Sequence, residues 1–121
     1  YKLDGIIATN TTVSRPGTIK STNKFEKGGL SGKPLGDLSD RVLKFIAKET
    51  KNELLLIGVG GISSARDIYK KIKLGASLVQ LYTALTFNNL SFLSDIKFQL
   101  SELLKRDNFA TISDAIGIDI K

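Results

Sequence analysis

The sequence predicts an α/β architecture with parallel strands, and three observations carry that expectation. Two apolar runs, Gly5-Ile6-Ile7-Ala8-Thr9 and Leu54-Leu55-Leu56-Ile57-Gly58-Val59, are continuous rather than alternating, as strands buried on both faces of a parallel sheet are. A third strand-sized run, Ser77 to Tyr82, follows them. Helical periodicities stand between and after these runs, so β and α elements alternate along the chain.

The first strand opens into Thr9-Asn10-Thr11-Thr12. One polar residue there would be an ordinary turn residue. Four in succession read as a surface that grips a polar ligand, and Asn brings both a donor and an acceptor. The stretch from Val13 to Pro34 has no clear period and is long for a βα connection, where about 2–6 residues is usual. Loops of that length in α/β proteins are often functional, the alternative being a floppy surface excursion.

A helix is predicted over about Leu38 to Lys51, with Leu38, Val42, Phe45 and Ile46 on its apolar stripe and Ser39 or Asp37 as N-cap. The second strand then runs into Gly58-Val59-Gly60-Gly61-Ile62-Ser63-Ser64. Glycines at a strand-to-helix turn let backbone approach an anion, and a helix N-terminus adds free N–H groups. The spacing is neither a dinucleotide fingerprint nor a P-loop, and tight packing is the competing explanation. The next helix, Ser64 to Leu74, carries Ala65, Ile68, Tyr69 and Ile72 inward, with Ser64 and Asp67 as a capping box and Gly75 as C-terminal cap. The third strand ends in Tyr82-Thr83-Ala84-Leu85, where Tyr82 reads equally as a packing residue. A helix from about Ser91 to Lys105, with Leu93, Ile96, Leu100, Leu103 and Leu104, and a short turn Ile112 to Ile116 closed by Gly117 complete the order.

Three strands and three helices leave two sheet edges open. A closed (β/α)8 (TIM) barrel needs typically ~250 residues, and this chain of 121 residues would be its last three units, one partial domain over 1–121. The chain opens on Tyr1-Lys2-Leu3 and contains no Met, so it is expected to be a piece of something longer. If the last two strands are the barrel's seventh and eighth, backbone N–H groups near Gly61 and Tyr82–Thr83 would converge on one phosphate.

Composition removes other classes. Without Cys there is no disulfide framework, thiolate metal site or Cys nucleophile, and without His the usual general base and commonest metal ligand are gone. No metal site is expected. The net charge of +6 comes from 14 Lys and only four Arg, spread from Lys2 to Lys121. A nucleic-acid partner asks for a concentrated basic face with interleaved aromatics, so a solvated Lys-rich surface is the better reading, including Lys70, Lys71 and Lys73. No apolar run approaches the ~18–20 residues of a transmembrane helix.

The strings DGIIATNTTVSRP, GGLSGKPL, GVGGISS, GASLVQLYTALTF and DAIGID stand here in the order and approximate spacing seen in class 2, quinone-linked dihydroorotate dehydrogenases. The resemblance covers Asp4 to Asp119, and ATNTT followed by GGLSGKPL and GASLVQLYTAL makes it specific. It implies an FMN-binding barrel that oxidises dihydroorotate to orotate in pyrimidine synthesis and passes electrons to quinone. Residue by residue, it implies Thr9 as an FMN contact and Asn10 and Thr11 as the pair holding dihydroorotate or orotate. Gly32 of GGLSG and Gly61 of GVGG correspond to backbone contacts with FMN, and Tyr82 and Thr83 to the pair at the flavin phosphate.

The family's base is a Ser in an earlier part of the barrel, and Ser14, Ser31, Ser63 and Ser64 do not match its motif. No catalytic residue is therefore expected in this chain. The flavin-side Lys and the N-terminal helical pair that admits quinone are likewise expected upstream. The resemblance further implies peripheral membrane association through that segment, at the bacterial inner membrane or the mitochondrial inner membrane. An isolated chain is expected to be inactive. The alternatives are a non-catalytic remnant or fragment, and part of another phosphate-binding barrel acting on a sugar phosphate.

Overall fold

The computed structural model describes residues 2–17, 19–51, 53–89 and 91–120. Strands β1 (Gly5–Ala8), β2 (Leu55–Val59) and β3 (Leu78–Gln80) form one parallel sheet in the order β1-β2-β3. Helices α1 (Gly36–Glu49) and α2 (Ala65–Lys73) are the crossovers; α3 (Thr83–Phe87), α4 (Ser91–Arg106) and α5 (Ile112–Ala115) follow β3. The alternation is as expected. The third strand is shorter than predicted because the chain turns at Leu81–Tyr82 and enters α3 at once.

The sheet is buried on one face only, unlike the two-sided burial that the continuous apolar runs predict. Register places Ile6 beside Leu56, and Ala8, Gly58 and Val79 in one row; this face packs on the helices. On the other face Ile7, Ile57 and Leu78 form a row beside Leu55, and Ile7 is 60%, Leu55 46% and Leu78 56% exposed. The strand sequences are apolar on both sides because side chains alternate across a sheet, and three strands with their helices cover just one of them.

Two apolar clusters hold the helices down. Leu43, Ala47, Leu56, Leu74 and Ala76 join α1 to the sheet, while Ile62, Ala65, Ile68, Tyr69, Ile72, Ile96, Leu100 and Ala115 join α2 to α4 and α5. All four stripe residues predicted for α2 are in the second cluster. The α1 stripe is rotated by one residue from its prediction: Ser39, Asp40, Leu43 and Ala47 point inward, whereas Phe45 is 64% exposed. Apolar counting misses this face because half of it is polar.

Those polar residues meet Lys71, which is buried and does not belong to the solvated lysine surface expected of it. Its Nζ donates to Asp40 Oδ1 and to Ser39 Oγ, both at 2.7 Å, while its stem runs beneath Gly58. Lys70 reaches the other Asp40 oxygen at 2.8 Å from the exposed side. Ser39 is thus interior, and neither it nor Asp37 caps α1, which begins directly from a 3-10 turn at Lys33–Leu35.

Helix α2 is capped as predicted. Ser64 accepts from the Asp67 N–H at 3.3 Å, and the Asp67 carboxylate accepts from the Ser63 N–H and from both serine hydroxyls, each at 2.9 Å. Burial alone would raise the Asp67 carboxyl; the donors from Ser63 and Ser64 together outweigh it and hold the pKa below its ordinary 3.8. In the middle of α2, burial and the hydrogen bond to Asp107 at 2.7 Å push the Tyr69 hydroxyl up to about 12.

Leu43→Ala is expected to cost about 2–5 kcal/mol in denaturant melts, and Phe45→Ala less than about 0.5 kcal/mol; equal costs would restore the predicted stripe. Ser64→Ala should cost about 1 kcal/mol near neutral pH. A carboxyl whose folded pKa is depressed stabilises fully above its unfolded value and loses that contribution as pH falls through the folded one. The stability gap between wild type and Asp67→Ala should therefore close as the solution is acidified below 3.8, and a gap independent of pH would refute the assignment.

Candidate functional site

The C-terminal ends of the three strands bring their polar residues to one place. The Thr9 N–H donates to the Val59 carbonyl at 3.0 Å, extending the β1–β2 pairing by one residue and fixing where the strand mouth begins. Asn10 Oδ1 accepts from the Thr11 N–H at 2.7 Å, which leaves the side-chain NH2 without a protein acceptor among the described residues. Thr12 and Leu30 then exchange two backbone hydrogen bonds, at 3.1 and 2.7 Å, and this bridge lays the GGLSG segment beside the strand mouth. Thr11 packs against Gly29, where any Cβ would overlap its side chain.

The long loop is organised rather than an undirected excursion. Arg15 donates to the carbonyls of Thr12, Lys24, Glu26 and Gly28 at 2.7–3.2 Å, pulling both limbs of the loop onto one guanidinium. A 3-10 turn at Thr22–Phe25, capped by Ser21, shapes its tip. Arg15 was not among the residues singled out from sequence; five fixed donors in a loop of carbonyls are recognisable only once the loop has closed.

Two glycines make the centre of the site. Gly61 has φ +76°, and a Cβ there would overlap the backbone of Gly36 at the start of α1. Gly32 has φ +75°, and its Cβ would stand 2.9 Å from Thr83 Cγ2. Both need glycine for conformation and for space. Packing and ligand approach, set against each other in the sequence, are therefore compatible at Gly61: one side touches Gly36 and another borders open space. Across the site, Thr83 donates to Ser31 Oγ at 3.1 Å, joining the GGLSG loop to the start of α3.

These elements enclose a cavity of about 270 Å³. Thr9, Asn10, Thr11, Gly32, Gly61, Tyr82 and Thr83, all seven site residues named from sequence, line it. Tyr82 is 80% exposed at its rim, so it is not a packing residue. Ser31, Leu35, Gly60 and Leu81 line it as well and were not singled out as ligands. Ser31 had a signal, its place inside GGLSG, whereas Leu35 enters only because α1 starts against Gly61.

No Asp, Glu, Lys or Arg lines this cavity; its polar groups are hydroxyls, one amide and backbone. At the positive end of α2 the Asp67 carboxylate takes the Ser63 N–H and the Ser64 hydroxyl, which sets a negative charge against an anion there. Donors left for an anion include the Gly61 N–H, for which the described residues offer no acceptor, and the first N–H groups of α3, whereas the Thr83 hydroxyl proton is engaged with Ser31. An uncharged lining of this kind holds a polar or anionic group through dipoles. Among the described residues there is no cluster of side chains able to hold a metal ion.

Residues 1–104 match the family model for dihydroorotate dehydrogenase. The dihydroorotate dehydrogenase (quinone) of Natronomonas pharaonis is 50% identical over 118 residues, which are 98% of this chain and 33% of that protein. The mitochondrial dihydroorotate dehydrogenase (quinone) of Mus musculus is 50% identical over 117 residues, covering 97% and 30%. The crystal structure of ligand-free type DHODH from Eimeria tenella superposes with a TM-score of 0.93 at 38% identity over 97% of this chain and 32% of that one. The chain thus spans about a third of the length of these relatives, and its three βα units are a segment of a (β/α)8 barrel, not a closed one. On the strength of the family match, the identities and the superposition, this chain belongs to the dihydroorotate dehydrogenase family.

Proposed function

We propose that the protein serves the oxidation of dihydroorotate to orotate in pyrimidine biosynthesis, with FMN as cofactor and quinone as electron acceptor. The observation that supports this reading is the convergence of Thr9, Asn10, Thr11, Gly32, Gly61, Tyr82 and Thr83 on one uncharged cavity.

The donor set fits FMN. Gly61 and Gly32 let backbone come close, and no carboxylate in the lining opposes a phosphate. The Gly61 N–H, the start of α3 and the Thr83 hydroxyl, once its proton turns from Ser31, would hold the phosphate, with Tyr82 beside it. FMN, when bound, supplies the hydride acceptor. The free amide NH2 of Asn10 would donate to a carbonyl or carboxylate oxygen of the substrate, and Thr11 would add a hydroxyl. Thr9, tied to Val59, keeps that pair at the strand mouth.

The proton that leaves dihydroorotate needs a base that the cavity lining lacks: Tyr82 is its sole ionisable side chain, and no serine here matches the family's motif. These 121 residues alone are therefore inactive in this reading, and base and quinone entry belong to other residues of the enzyme. Delivery to quinone implies peripheral membrane association, bacterial or mitochondrial; no helix of the described residues is long and apolar enough to cross a membrane.

FMN and orotate titrations of the protein expressed from its complete reading frame test this. Thr83→Ala should weaken FMN binding about fivefold to tenfold. Asn10→Ala should leave FMN binding intact and weaken orotate binding by about tenfold or more. Failure of the unmodified protein to bind FMN overturns the proposal. Dihydroorotate-dependent bleaching of flavin by residues 1–121 alone would refute their inactivity.

A further inference from the structure

We propose that Lys71 is a positioning residue for the cavity, acting through Ser39 on the Gly60–Gly61 peptide. The inference rests on the FMN reading above. Lys71 Nζ stands 2.7 Å from Ser39 Oγ, and Ser39 Oγ stands 2.8 Å from the Gly60 carbonyl oxygen. An ammonium can only donate, so Ser39 must accept from it. The single hydroxyl proton is then directed away from Lys71, toward the Gly60 carbonyl or the Gly36 carbonyl at 2.9 Å. Asp40, at 2.7 Å from Nζ, holds the ammonium in place and compensates its burial.

The consequence for the site follows from peptide geometry. The Gly60–Gly61 bond is trans, so the Gly61 N–H points opposite to the Gly60 carbonyl. Anchoring that carbonyl on Ser39 fixes the direction of the N–H. At two successive glycines with φ +104° and +76°, no side chain of their own does this work, and the hydrogen bond to Ser39 sets the peptide's direction alongside the packing on Leu35 and Gly36. The path from Lys71 to the cavity is thus Nζ, Ser39 hydroxyl, Gly60 carbonyl and Gly61 N–H. Lys71 itself touches no cavity group, which separates its role from that of the residues in the lining.

A merely structural lysine would affect stability and every ligand alike; a positioning lysine affects the ligand that uses the Gly61 N–H. Ser39→Ala breaks the path while keeping the Lys71–Asp40 pair, and Lys71→Met breaks it at its origin. In the protein expressed from its complete reading frame, both should weaken FMN binding about tenfold, the loss of a hydrogen bond's worth of orientation. Both should also speed amide hydrogen exchange in the peptide spanning 58–62, with orotate binding unchanged. Ser39→Ala, the milder change, serves if Lys71→Met does not fold. Unmodified protein that binds FMN alongside a Ser39→Ala variant with equal FMN affinity or unaltered exchange overturns this inference alone. Equal loss of FMN and orotate binding also overturns it, in favour of a structural role. Unmodified protein that binds no FMN overturns the flavin reading, and this inference with it.

Discussion

The buried ion pair between Lys71 of α2 and Asp40 of α1 is the constraint around which the other elements are set. A lysine ammonium with its side chain 1% exposed is tolerated only when charge and donors are met, and Asp40 with Ser39 meets them. That requirement fixes the azimuth of α1, turning Ser39, Asp40 and Leu43 inward and Phe45 outward. It also ties α1 to α2 across the underside of β2, where Gly58 leaves room for the lysine stem. Such pairs contribute little net stability compared with an apolar pair of the same size, so orientation is the better explanation of their presence.

The start of α1 then carries the constraint into the site. Gly36 presses against Gly61, Leu35 reaches the cavity, and Gly32 just upstream faces Thr83. Two further ties converge on the same place: the Thr12–Leu30 bridge and the Arg15 clamp bring the GGLSG segment over the strand mouth. Four chain segments distant in sequence thereby share one cavity with no charged side chain in its wall. The open sheet face, with Ile7, Leu55, Ile57 and Leu78 in rows, belongs to the same architecture: in a barrel this is the inner face, packed by side chains from strands around the ring.

Much of this was legible in the residues. The α2 helix could be read end to end, because Ser64, Asp67 and Gly75 act through contacts within a few residues of themselves. The seven lining residues could be named because they sit inside strings specific to one family, six of them just past strand ends. The inner face of α1 could not, since Ser39 and Asp40 are polar and their burial depends on a lysine about thirty residues away. Nor could the helix α3, whose five residues follow a strand that propensity alone would prolong through Tyr82. The sequence offers the N-terminus of α2 beside Gly61 and Tyr82–Thr83 as sources of anion donors; the Asp67 carboxylate stands at that terminus, which leaves Gly61 and the start of α3.

By itself the sequence determined the alternation of strands and helices, the caps of α2 and seven of the residues that meet in the cavity, because each is encoded by local periodicity, local hydrogen bonding or a contiguous motif. Only the tertiary structure decided which face of α1 is buried, which sheet face is covered, and which backbone groups remain free for a ligand. These depend on partners far apart in the chain, and a charge such as Lys71 is exposed or buried according to whether such a partner arrives.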